Sequence, residues 1–161
     1  MAGTSELTPE EIQHNFDKFQ TLLSKLGDRA EPAQALVDAL GERLALAPAS
    51  SRKSYHNAFP GGLVDHSLRV FKNAFKLCKA FAFDVPQDSL IIGCLFHDLG
   101  KVGDEENDYY VSQDSDWHRD KLGELYKRNE DLQYMTVPDR GVWLCQNFGL
   151  HCFLFHQNIP F

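Results

Sequence analysis

Residues 90–99, LIIGCLFHDL, are apolar until a histidine and an aspartate, His97 and Asp98, stand side by side at the end of the run. A helix that is apolar around most of its circumference belongs in the middle of a protein. Two adjacent ionisable groups are costly there unless something compensates for the loss of water. A divalent ion does so, because neutral imidazole and carboxylate both ligate such ions. The plainer alternative is a helix end carrying a hydrogen-bonded histidine. Gly100 then stops the helix, and Lys101 follows it. Upstream, His66 comes just after the turn signal Pro60-Gly61-Gly62. A histidine from one helix and a His-Asp pair from another can converge in the core of a bundle. His66 as an isolated surface histidine is the competing reading.

The rest of the chain reads as helices around that run. Thr8-Pro9-Glu10-Glu11 has a helix start written into it: Thr at the N-cap, Pro at the first helical position and Glu at the third. Ile12, Phe16, Phe19, Leu22, Leu23 and Leu26 then recur at helical spacing up to Gly27. A second helix is predicted over 32–46, with Leu36, Val37, Leu40 and Leu44 inward. A third follows the glycine pair, with Val64, Leu68, Phe71, Phe75 and Cys78 on one stripe. The fourth covers 89–99, a fifth about 117–127 with Trp117, Leu122 and Leu125 buried, and the last runs from Pro138 to about Phe148. Residues 102–116 read as an acidic loop, and little favours strands. The fold class is therefore all-α, a bundle of about six helices.

At 161 residues the chain is long enough for one domain with a single core. We divide it into N-terminal helices over 1–47, a motif-bearing core over 55–150 and an apolar tail over 151–161. The net charge of −7 argues against general binding to a duplex nucleic-acid backbone, which needs a basic face. A small phosphorylated substrate stays open. Cys78, Cys94, Cys145 and Cys152 form no C-x-x-C pair and read as reduced thiols in a cytoplasmic protein. No apolar run suffices to span a membrane.

Gly61-Gly62-Leu63-Val64-Asp65-His66, followed some thirty residues later by His97-Asp98-Leu99-Gly100-Lys101, resembles the HD-domain metal-dependent phosphohydrolase superfamily. Its pattern is H…HD…D on a helical bundle, and small phage or bacterial members are the most similar in outline. The resemblance implies an HD-domain-like bundle that hydrolyses a phosphate ester, in this case a nucleotide or a related compound. It implies His66, His97 and Asp98 as ligands of a divalent ion (Mn, Co, Ni, Mg, Fe or Zn). Asp98 and Lys101 are the implied catalytic residues, with Lys101 near the substrate phosphate. The family pattern closes with an aspartate on a later helix, but no Asp follows Asp139 here. The C-terminus therefore reads as shortened or altered. Asp139, His151 and His156 are the candidate replacement ligands. The alternative function is a catalytically weak HD-fold module that binds a nucleotide or a protein.

The remaining candidates each have a bland reading beside the functional one. His56 could face substrate from the loop before the turn, or do nothing chemical. Lys101 could be a solvated lysine at a helix end, favoured by the macrodipole. His118 could reach substrate or be a partly exposed histidine. Asp104, Glu105, Glu106 and Asp108 are more simply a solvated loop than a ligand cluster. Asp139 complements a helix dipole without any metal. The aromatic tail around Phe153, Phe155 and Phe161 fits a core or a homo-oligomer contact.

Overall fold

The computed structural model describes residues 6–151. Among them are six α-helices: α1 (Pro9–Leu23), α2 (Ala30–Leu46), α3 (Gly62–Phe81), α4 (Gln87–Phe96), α5 (Asp116–Leu122) and α6 (Val137–Asn147). One core joins all of them but α5, from Phe19 and Leu23 through Leu36, Leu40, Ile91, Ile92 and Leu95 to Leu144 and Leu150. The fold is all-α, as the periodicity implies, and α4 is its central helix, packed mainly on α3. No helix among the described residues is long and apolar enough to cross a membrane. Cys78 and Cys94 are free thiols.

The start of α1 follows the sequence signal. Thr8 Oγ1 accepts from the Glu11 amide at 3.3 Å, and the Glu11 carboxylate accepts from the Thr8 amide at 2.8 Å. Two orphan donors of the helix end are thereby satisfied together. The junction of α2 and α3 works similarly with backbone alone. The Leu46 and Ala47 carbonyls, left over at the end of α2, accept from the Gly61 and Leu63 amides at 3.1 and 2.9 Å. Free acceptors of one helix thus meet free donors of the next.

Four expectations need correction. First, α4 ends at Phe96, and a 3-10 turn over Leu99–Lys101 follows. The His-Asp pair therefore caps a helix at the edge of the core and is not buried inside it. Second, the apolar stripe of α3 runs out: Val64 is buried, but Phe75 is exposed, because the second half of α3 extends past the helices that cover its start. Third, α5 stops at Leu122, with Gly123 in the left-handed conformation. Trp117 is 59 % exposed, so α5 lies on the surface. Fourth, there is a two-stranded antiparallel ribbon, β1 (Tyr110–Ser112) and β2 (Tyr126–Arg128), with Ser112 opposite Tyr126. Strands of three residues are too short to show an alternating pattern. Pairing is held from outside the ribbon, where Ser51 O accepts from the Leu125 amide at 2.8 Å and Arg52 pairs with Glu124.

Gly100 fixes how α6 packs on the 3-10 turn. A Cβ there would lie 2.1 Å from the Val137 carbonyl oxygen, so the 3-10 turn and α6 meet backbone to backbone. Gly93, inside α4, has nothing within 4 Å of where its Cβ would be. We therefore expect opposite effects of one methyl group. Gly100→Ala should destabilise by about 2–3 kcal/mol through overpacking. Gly93→Ala should stabilise by about 0.5–1 kcal/mol, since Gly costs that much inside a helix. Urea unfolding of the two variants checks this, and equal effects would refute the close approach.

Candidate metal centre

His66 sits on the second turn of α3, where a rigid start holds it. Asn57 is fully buried just before that helix and has φ +53°. Its side-chain amide donates to the Gly62 carbonyl at 2.9 Å and to Asp65 Oδ2 at 2.8 Å. Arg69, one turn on, donates to Asn57 Oδ1 and pairs with Asp65 at 3.0 Å. At Gly62 a Cβ would come within 2.2 Å of the Asn57 carbonyl oxygen. The second glycine of the pair is therefore required by the loop that folds over it.

His97 and Asp98 come from the end of α4. Nδ1 of His97 lies 2.9 Å from the Cys94 carbonyl oxygen. A carbonyl only accepts, so Nδ1 carries the proton, and in the neutral ring the lone pair is on Nε2. That Nε2 points to His66 Nε2 at 3.1 Å. Asp98 Oδ2 lies 3.6 Å from His66 Nε2 and 3.5 Å from His97 Nε2. Three ligand atoms thus face one another within 4.8 Å. Ligands held about 2.0–2.2 Å from one ion, at angles of roughly 90–110°, are separated by about 3.0–3.5 Å. The donor set and its spacing fit a single divalent ion.

Lys101 Nζ also lies 2.7 Å from Asp98 Oδ2. The lysine is three residues on, in a 3-10 turn, where side chains at i and i+3 eclipse. The side chains of His66, Asp98 and Lys101 are about one-fifth exposed or less, and His97 is about one-third exposed. The cluster opens to solvent. Burial, then the neighbouring His56 and His97, lower the His66 imidazole from its ordinary 6.5 to about 4, while Asp98 opposes this. Between those values the unfolded chain holds more protons at His66 than the folded one. The stability linked to His66 is therefore highest above pH 6.5 and falls as pH drops toward 4. In the metal-free protein, proton NMR should find the His66 ring titrating near pH 4; a midpoint near 6.5 would refute its desolvation.

The other sequence candidates are placed as follows. The His56 ring is exposed and stands 4.8 Å, centroid to centroid, from His66, so it borders the cluster. His118 is turned to its own helix start, with Nδ1 2.8 Å from Ser115 Oγ. Asp139 serves as a capping residue of α6: its amide donates to Thr136 Oγ1 at 3.3 Å, and its carboxylate accepts from the Thr136 hydroxyl. Neither His118 nor Asp139 joins the three-donor group. The His151 carbonyl accepts from Arg29, whose other nitrogen reaches Ser89 at the start of α4. That is the end of α4 opposite His97, roughly 12 Å of helix away. His156 and the aromatic tail lie outside the described residues. In the acidic loop, Asp104 caps its own turn and Asp108 holds Arg43 at 2.7 Å. Asn57 and Asp65, which fix the helix that carries His66, were not legible as positioning residues. The one hint is a polar residue just before a glycine turn.

Residues 63–139 match the family model described as the HD domain. The chain is also 30% identical, over 101 residues, to a dihydroneopterin 2',3'-cyclic phosphate phosphodiesterase from Methanocaldococcus jannaschii. That alignment takes in 56% of this chain and 40% of the relative. The chain therefore spans about two-fifths of the length of the relative it matches. No solved structure matches.

Proposed function

From the premise that residues 63–139 make the chain an HD-domain protein, we propose that it is a metal-dependent phosphohydrolase acting on a nucleotide or a related phosphate ester. The observation that carries this reading is the convergence of His66 Nε2, His97 Nε2 and Asp98 Oδ2 on one point. These three residues would hold the ion. When bound, a divalent ion supplies a water of lowered pKa and polarises a phosphoryl oxygen. His66, neutral above about pH 4, is ready to ligate at neutral pH without first losing a proton. The hydrogen bond from His97 Nδ1 to the Cys94 carbonyl fixes the ring's orientation and makes Nε2 more basic.

Lys101 supplies the positive charge beside the cluster. With a phosphate ester bound, its ammonium is placed to share itself between Asp98 and a phosphoryl oxygen, offsetting the negative charge that grows during attack. Asp98 orients Lys101 by the 2.7 Å ion pair. The exposed His56 ring, next to His66, stands where it can donate to a second phosphoryl oxygen. The relative's name is that of a phosphodiesterase, in keeping with phosphate-ester chemistry here.

Assays of the protein loaded with Mn, Co, Ni, Mg, Fe or Zn against a panel of nucleotides and other phosphate esters test the reading. Hydrolysis is expected with at least one metal. His97→Ala should lower kcat/KM by at least about 100-fold, comparable to removing a principal transition-state contact. Lys101→Ala should cost about 100-fold. His14→Ala, on the exposed face of α1, should leave activity unchanged. A folded protein that binds nucleotide but cleaves nothing would replace this reading with that of a binding module.

A further inference from the structure

A cavity of about 330 Å³ lies beside the metal centre. Leu46 and Pro48 come to it from the end of α2 and the segment after it, and Pro60 from the segment before α3. Tyr110 and Tyr126 come from the β-ribbon, and Lys101 from the 3-10 turn. Lys101 belongs to both places: it lines the cavity and bonds Asp98 at 2.7 Å. Burial, then Tyr109 and last the Asp98 charge, raise the Tyr110 hydroxyl to about 12. The phenol is therefore neutral across the physiological range and does not repel an anion.

The register explains why two tyrosines share this wall. Ser112 is opposite Tyr126, and Tyr110 is two residues from Ser112, so Tyr110 and Tyr126 project from the same face as diagonal neighbours. Their rings lie 6.3 Å apart, tilted by 46°. Facing them are Leu46 at the end of α2, Ala47 and the two prolines. Glu42, Arg43 and Asp108 also line it, with Arg43 and Asp108 paired to each other. A concave site of roughly 300 Å³ or more, with mainly apolar and aromatic walls and the Lys101 ammonium at the end nearest the metal centre, suits a small ligand with a flat apolar part and an anionic part. The ribbon is also held down. Arg43, on α2, binds Asp108 at 2.7 Å and the Asp104 and Glu105 carbonyls at 3.0 Å each, anchoring the loop that leads into β1.

We propose that this cavity takes the planar heteroaromatic ring of the phosphate-ester substrate, with Tyr110 and Tyr126 as its stacking wall and Lys101 marking the end where the phosphate lies. The ring site stands on the cavity and the two tyrosines, while the placing of the phosphate rests on the phosphohydrolase reading. The tyrosines are then specificity residues: they select an ester that carries a base-like ring over one that carries only a sugar.

The test uses the 161-residue chain with its tyrosine rings isotopically labelled and magnesium present, titrated with adenosine 5'-monophosphate and, separately, with ribose 5-phosphate. The nucleotide should move the NMR signals of the Tyr110 and Tyr126 rings and leave the exposed Tyr134 in place; ribose 5-phosphate should move neither ring. Tyr126→Ala should weaken nucleotide binding about tenfold or more, in the range of one lost base–aromatic stack, and leave ribose 5-phosphate within about twofold of its wild-type affinity. Tyr126→Phe should restore the nucleotide. The proposal is overturned if the nucleotide does not bind, binds without moving the two rings, or moves them no more than ribose 5-phosphate does. Ring shifts in a protein that hydrolyses nothing would support the cavity and count only against the phosphohydrolase reading.

Discussion

At Gly62 and Gly100 the chain packs backbone against backbone, and a side-chain carbon at either position would lie 2.2 or 2.1 Å from a carbonyl oxygen. The first contact lets the Asn57 loop close over the start of α3. The second seats the 3-10 turn on α6. His66 is one turn beyond the first glycine, while Asp98 and Lys101 flank the second. Both glycines therefore do more than end or begin a helix. Each removes a side chain that would disturb the seating of one half of the cluster: the Asn57 loop against α3, which carries His66, and α6 against the 3-10 turn that follows His97-Asp98.

The meeting of α3 with the end of α4 sets up an electrostatic conflict. Two imidazole nitrogens face each other at 3.1 Å, and a carboxylate oxygen lies 3.5–3.6 Å from both. A protonated His66 would lose water and meet His56, His97 and Lys101, which is why its pKa falls to about 4. A lowered histidine pKa disfavours a proton but leaves the lone pair ready for another cation. Lys101 partly balances Asp98 at one side, leaving the two nitrogens and the remaining carboxylate charge for the ion.

Much of this was legible in the sequence, and the rest was hidden for physical reasons. The capping box at Thr8, the core positions of α2 and the central place of α4 follow from patterns that local geometry enforces. His66 and His97-Asp98 stood out because ionisable groups beside an apolar run demand an explanation. The ribbon was not legible, since its strands are three residues long and are paired from outside by Ser51 and the Arg52–Glu124 bridge. The surface position of Trp117 was missed because a helical spacing of apolar residues does not say whether anything covers them. The capping role of Asp139 was one of two readings open from Pro138-Asp139. Only the structure shows its carboxylate held by Thr136, outside the three-donor group. Asn57 gave only the hint of a polar residue before a glycine turn, because burial of a lone asparagine depends on partners in another element.

The central claim is that His66, His97 and Asp98 hold one divalent ion together. X-ray absorption of the zinc-loaded protein measures this directly. Two imidazoles and at least one oxygen at about 2.0–2.2 Å from zinc are the expected result, with one imidazole lost in His66→Ala and one in His97→Ala. A zinc environment that lacks imidazole, or that neither substitution changes, would contradict it.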